Sequence, residues 1–142
     1  MILMQTLFMA LALTGLVASG PQDERVTKAF DHYEAIRVAL AADSITDVAG
    51  EATALALLAE QIAGADAKKH AEGVANAKDV KAVREHFGPL SAALIPVFEK
   101  ARLKDVSYFT CPMVKQSWAQ KGKEIQNPYY GKEMLTCGVP KK

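Results

Sequence analysis

Residues 80–101 read VKAVREHFGPLSAALIPVFEKA, and their spacing decides the fold class. Val80, Val83, Phe87, Leu90, Leu94, Val97 and Ala101 recur three and four apart, the period of one helix face. Asn76 is a candidate N-cap, with Asp79 in the first turn. Gly88-Pro89 and Pro96 interrupt the stripe without shifting its register. An interior proline removes a hydrogen bond and crowds the preceding turn. The expectation is therefore a kinked helix, or two helices meeting near Gly88. Working backward, Val26, Phe30, Tyr33, Ile36 and Leu40 form an equivalent stripe, and Ile45, Val48, Ala52, Leu55, Ala59 and Ile62 form another. Asp43 or Ser44 is a plausible cap between these two, and Gly64 a natural stop. Residues 65–75 lack large apolar side chains and read as a connection containing at most a helical turn. The expected fold is mostly α: an up-down bundle of three or four helices in a single domain over residues 22–142, closed by an irregular C-terminal cap.

The chain has 142 residues and is 50% hydrophobic, enough for one core. A net charge of +1 supplies no broad basic field, so no nucleic-acid partner is expected. No Gly-rich phosphate loop, His-Glu-x-x-His or G-x-S-x-G motif is present, and no carboxylate pair stands out. Neither an enzyme nor a small-molecule substrate is expected. Residues 1–20 carry no charge; an apolar run from Leu7 to Val17 leads to Ala18, Ser19 and Gly20. That is the form of an export signal over residues 1–19, cut after Ser19. An uncleaved membrane anchor is the alternative reading. An exported chain enters the periplasm, where two cysteines can pair.

Beyond Leu103 the helical period stops. Tyr108-Phe109-Thr110 suits a short extended piece, and Asn127-Pro128 and Gly131 signal turns. The aromatic residues here need burial, so the segment is expected to fold back on the helices. Nine of the basic residues and only three acidic ones lie from Lys100 onward, so the tail is expected to be drawn to the acidic helical part, with a basic docking face for an acidic partner as the alternative. Four sulfurs flank this segment: Cys111 and Met113, then Met134 and Cys137. Thiolate and thioether sulfur favour soft ions such as Cu(I) and Ag(I), and thiolate also takes Zn(II). If the two pairs converge they form an all-sulfur site. His86, bordering the stripe beside Phe87, is the candidate nitrogen donor. His32 also borders a stripe, and His70 falls in a solvated run with Lys68 and Lys69. The competing reading pairs Cys111 with Cys137, 26 positions apart, in a disulfide worth about 3.5 kcal/mol in the chain-entropy description.

The motifs Arg84-Glu85-His86-Phe87, Cys111-Pro112-Met113, Trp118, Asn127-Pro128-Tyr129-Tyr130-Gly131 and Met134-Leu135-Thr136-Cys137-Gly138 resemble the domain of unknown function 3347. That family comprises small exported bacterial proteins and domains fused to membrane-fusion subunits of CusB-type copper/silver efflux systems. The resemblance implies a compact helical periplasmic domain concerned with heavy-metal handling. It carries His86, Cys111, Met113, Met134 and Cys137 over as candidate ligands, and Trp118 and Tyr129 as structural or ligand-supporting residues. Thr110 stands where family members have a histidine before Cys-Pro-Met, and only residues 114–117 separate that motif from Trp118. The expected function is binding of Cu(I), with Ag(I) or Zn(II) as alternatives, for buffering or transfer to an efflux membrane-fusion protein. A disulfide-stapled interaction module docking on another envelope protein is the alternative.

Overall fold

The computed structural model describes Gly15 and residues 20–142. The expected export signal therefore lies outside the described residues, Gly15 apart. The chain is mostly helical, with four helices followed by a small antiparallel sheet. The helices are α1 (Pro21–Ala41), α2 (Val48–Ala63), α3 (Ala65–Asn76) and α4 (Val80–Ala101). The strands are β1 (Val106–Cys111), β2 (Gln116–Lys121) and β3 (Val139–Pro140), with a 3-10 turn at Gly131–Met134. No described helix is long and apolar enough to cross a membrane.

The stripes of α1 and α2 are buried as their spacing predicts, from Val26 to Leu40 and from Val48 to Ala59. Three local expectations are corrected. Residues 65–76 form a full helix rather than a connection, with Ala67, Ala71 and Val74 buried at i, i+4 and i+7. Alanine faces pack backbones closely without the large apolar side chains that announce a helix in sequence. α3 packs on α2 more extensively than any other pair of elements, and Gly64 alone, at φ 94°, turns the chain between them. The cap of α4 is Asp79, whose carboxylate accepts from the Ala82 N–H at 2.8 Å; Asn76 instead ends α3. α2 begins at Val48 after Asp47, so neither Asp43 nor Ser44 caps it.

α4 is one helix with both prolines inside it. The carbonyls deprived of a partner belong to Glu85 and Ala92, both exposed residues, where water replaces the lost bond. Around Pro96 the buried face turns: Ile95 and Phe98 are buried, whereas Val97 and Ala101 are only partly so. The side-chain amide of Gln116 on β2 packs over Gly88, where a Cβ would lie 2.5 Å from Gln116 Cδ.

The C-terminal part is a sheet of order β2-β1-β3 rather than an irregular cap. β1 pairs with β2 along its whole length, placing Phe109 opposite Trp118. A free sheet edge is a liability that proteins cover, and here α1 covers β2. The Ala119 N–H donates to Tyr33 Oη at 3.2 Å and the Lys121 N–H to Glu34 Oε1 at 3.2 Å. Aromatic rings run on from the helices into the sheet. Tyr33 stacks on Phe87 at 4.9 Å, and Phe87, Tyr129, Trp118 and Phe109 follow in successive contacts. The segment thus folds back on the helices, as its aromatic content predicts.

Candidate metal centre

The five candidate ligands come from two separate regions. Cys111 ends β1 and is fully buried. Met113 sits in the β1–β2 turn and is 60% exposed. Met134 ends the 3-10 turn and is half-buried, as is Cys137 three residues later, whose N–H donates to the Met134 carbonyl. Both cysteines are free thiols. The β1–β3 register sets Phe109 opposite Pro140 and Thr110 opposite Val139. Carried one step further it sets Gly138 opposite Cys111, with Cys137 next in the chain. The β1–β3 pairing thus brings the segment that carries Cys137 alongside the strand that ends at Cys111.

His86 belongs elsewhere. Its ring lies against α3, over Gly73, with its centroid 6.4 Å from that of His70. α3 contacts α2 and α4 but no strand, so His86 is separated from the cysteines. His70 is half-buried rather than solvated. His32 Nδ1 lies 2.6 Å from Glu51 Oε2, tying α1 to α2. Among the described residues, no group of three or more His, Cys, Asp or Glu side chains is arranged to hold a metal.

The cysteine end of the sheet is held in place by polar residues. Asn127 is fully buried. Its Nδ2 donates to the Cys137 carbonyl at 2.7 Å, and its Oδ1 accepts the N–H groups of Tyr129 and Tyr130 at 2.7 and 3.3 Å. Arg37 lies on the buried face of α1, forms a two-point pair with Glu34 at 2.7 and 2.8 Å, and reaches the Gln126 carbonyl at 3.0 Å. Arg84 donates to the carbonyls of Pro128 and Leu40 and to Asp43, at 2.7, 2.8 and 2.8 Å. Asp43 also accepts the Lys132 N–H at 3.0 Å. The Arg84 hydrogen bond, followed by that N–H, holds the Asp43 carboxyl below its ordinary value. Trp118 Nε1 donates to Gln120 Oε1 at 2.9 Å, and Gln120 Nε2 to the Glu124 carbonyl at 2.6 Å. Gly138 lies against the indole, where a Cβ would stand 2.7 Å from Trp118 Cη2.

Two phenols close the inner side. Tyr33 Oη bonds Ser91 Oγ at 2.7 Å, and Tyr129 Oη donates to the Ser117 carbonyl at 2.6 Å. Burial pushes both phenols far above their ordinary pKa. At Tyr129, Tyr33 and the Cys111 thiol push the same way. The phenols therefore remain neutral donors. Trp118 and Tyr129 are both buried, with ring centroids 6.2 Å apart. Arg37, Arg84, Asp43 and Asn127, which organise that end, are not evident as a set in the sequence. One signal was available for Arg37, which stands four residues after Tyr33 on an apolar stripe.

No curated protein and no solved structure matches this chain. Residues 29–105 match a family described as a protein of unknown function (DUF3347). The match runs from α1 to the end of α4 and stops before β1, so Cys111 and Cys137 lie beyond it. With more than half of its length in that match, the chain belongs to the DUF3347 family.

Proposed function

We propose that this chain is an exported, periplasmic protein that binds a soft ion, Cu(I) foremost, between the thiolates of Cys111 and Cys137. It would buffer the ion or pass it to an efflux membrane-fusion partner. The observation that supports the reading is the β1–β3 pairing, which returns the segment carrying Cys137 alongside the strand that ends at Cys111, 26 positions earlier in the chain. Thiolate is the donor that soft ions prefer, and Cys111 is fully buried beside the aromatic residues of the sheet. Met113, exposed in the adjoining turn, suits capture or handover of the ion, and Met134 is the nearest further thioether in sequence. His86, on the α3 side of α4, is not part of this reading. We take the four helices as an up-down bundle, on the support of their short connections and of contacts between successive helices.

Titration of the reduced protein with Cu(I) against a competing chelator tests the proposal. One tightly held ion per chain is expected, with affinity lost in Cys137→Ser and in Cys111→Ser. Cys137→Ser is the safer variant, because Cys137 is half-buried and its Asn127 bond uses the backbone carbonyl. Unchanged affinity in both variants counts against the proposal.

One observation favours a second reading, a disulfide-stapled interaction module. β3 has only two residues, so a covalent link from Cys137 to Cys111 would fasten a weakly paired end. Protein recovered from the envelope with a quantitative disulfide that resists mild reductant, and with no metal retained, supports this second reading.

A further inference from the structure

We propose that His70 and His86 form a separate two-imidazole site for a late first-row divalent ion at the α3–α4 seam. The site is independent of the cysteine reading, in both location and ligand chemistry. The two rings come from different helices, 16 positions apart in the chain, and their centroids are 6.4 Å apart with the planes tilted by 45°. An ion bonded at about 2.0–2.1 Å to one nitrogen of each ring holds the centroids roughly 4.5–6.5 Å apart, depending on the angle at the ion. The observed spacing is at the open end of that range. His86 is exposed, so its ring is accessible to an ion from solvent.

Two further observations point to a ligand. Neither ring has a hydrogen-bond partner among the described residues, whereas His32 is paired with Glu51. Gly73 also leaves room for the His86 ring, because a Cβ there would stand 2.6 Å from His86 Cε1 and Cγ. Neutral imidazole suits Ni(II), Cu(II) and Zn(II), and affinity rises toward Cu(II) in the usual order. With no third protein donor, water completes the coordination, and the ion clips α3 to α4. Binding only the folded arrangement, it stabilises the protein in proportion to its concentration.

Ni(II) is the probe for the test, because it broadens nearby NMR signals without oxidising thiols. With the full reduced chain, substoichiometric Ni(II) is expected to broaden the signals of His70 and His86 and the amides around them. His70→Gln and His86→Gln should each lower affinity at least tenfold, and the double variant should lose little more, since a chelate is broken by losing either arm. Gly73→Ala provides a check that keeps both imidazoles. Alanine favours helix over glycine, so α3 is retained, but the His86 ring is displaced and affinity should again fall at least tenfold. The proposal is overturned if broadening appears only around Cys111 and Cys137, or nowhere. It is overturned equally if either single histidine variant binds as the parent does.

Discussion

Tyr33 is the residue on which the join between helices and sheet depends most. Its hydroxyl meets Ser91 on α4 and the Ala119 N–H on β2, at full burial. Tyr33→Phe keeps the ring stack on Phe87 but leaves the buried Ala119 N–H without its acceptor and removes one partner of the Ser91 hydroxyl. Such orphaned groups cost about 1–3 kcal/mol, and urea denaturation should show a loss of that size. Asp43 makes a second prediction at this scale. Its carboxyl is held below the ordinary value in the folded chain, chiefly by Arg84. A group depressed on folding adds stability above its unfolded pKa and loses it as the pH falls through the folded value. Denaturation midpoints taken from neutral pH into acid should therefore fall more steeply for the parent than for Asp43→Asn. Equal slopes would show that the Asp43–Arg84 pair is energetically idle. Gly131 is constrained at the same junction: φ is 59°, and a Cβ there would stand 2.6 Å from Asp43 Cγ. Gly131→Ala should destabilise the protein measurably in the same assay, through strain and displacement of the Asp43–Arg84 pair.

Among the elements, what the sequence made legible follows from side-chain size. α1, α2 and α4 announce themselves because Phe30, Leu55, Phe87 and Leu94 repeat at helical spacing. α3 does not, because its buried positions are Ala67, Ala71 and Val74, and alanine marks a close contact as readily as an exposed surface. β2 was hidden for a different reason. Gln116-Ser117-Trp118-Ala119-Gln120-Lys121 has one strong β-former, and its strand state is imposed by pairing with β1 and by N–H bonds donated to Tyr33 and Glu34. The start of α4 gives a direct test. Asp79→Ala removes the acceptor for the Ala82 N–H, and a lost N-cap costs about 1 kcal/mol. A change well under that in thermal or chemical denaturation would mean that water replaces the cap.

At the scale of the described residues as a whole, helices and sheet share one hydrophobic core. The family match ends at residue 105, yet Tyr33, Arg37 and Arg84, all within it, find partners beyond it. A chain ending at Lys104 would expose Phe87 where Tyr129 now covers it and would leave Arg37 partly buried without the Gln126 carbonyl. Such a truncation should lose the sharp unfolding transition of the full chain, as followed by circular dichroism during denaturant titration. The candidate site was legible only in part. Sequence marked the four sulfurs because soft donors are rare, and it marked Asn127-Pro128 as a turn. It could not show that His86 turns toward α3, because that depends on Gly73 and His70 in a helix the sequence concealed. Nor could it show that the segment carrying Cys137 returns alongside β1, because that follows from the β1–β3 pairing. X-ray absorption at the copper edge, on reduced protein loaded with one Cu(I), tests the sulfur pairing most directly. The account predicts a shell of sulfur alone, lost when Cys111 or Cys137 becomes serine. A shell of nitrogen or oxygen, or copper retained equally by the double serine variant, would contradict it.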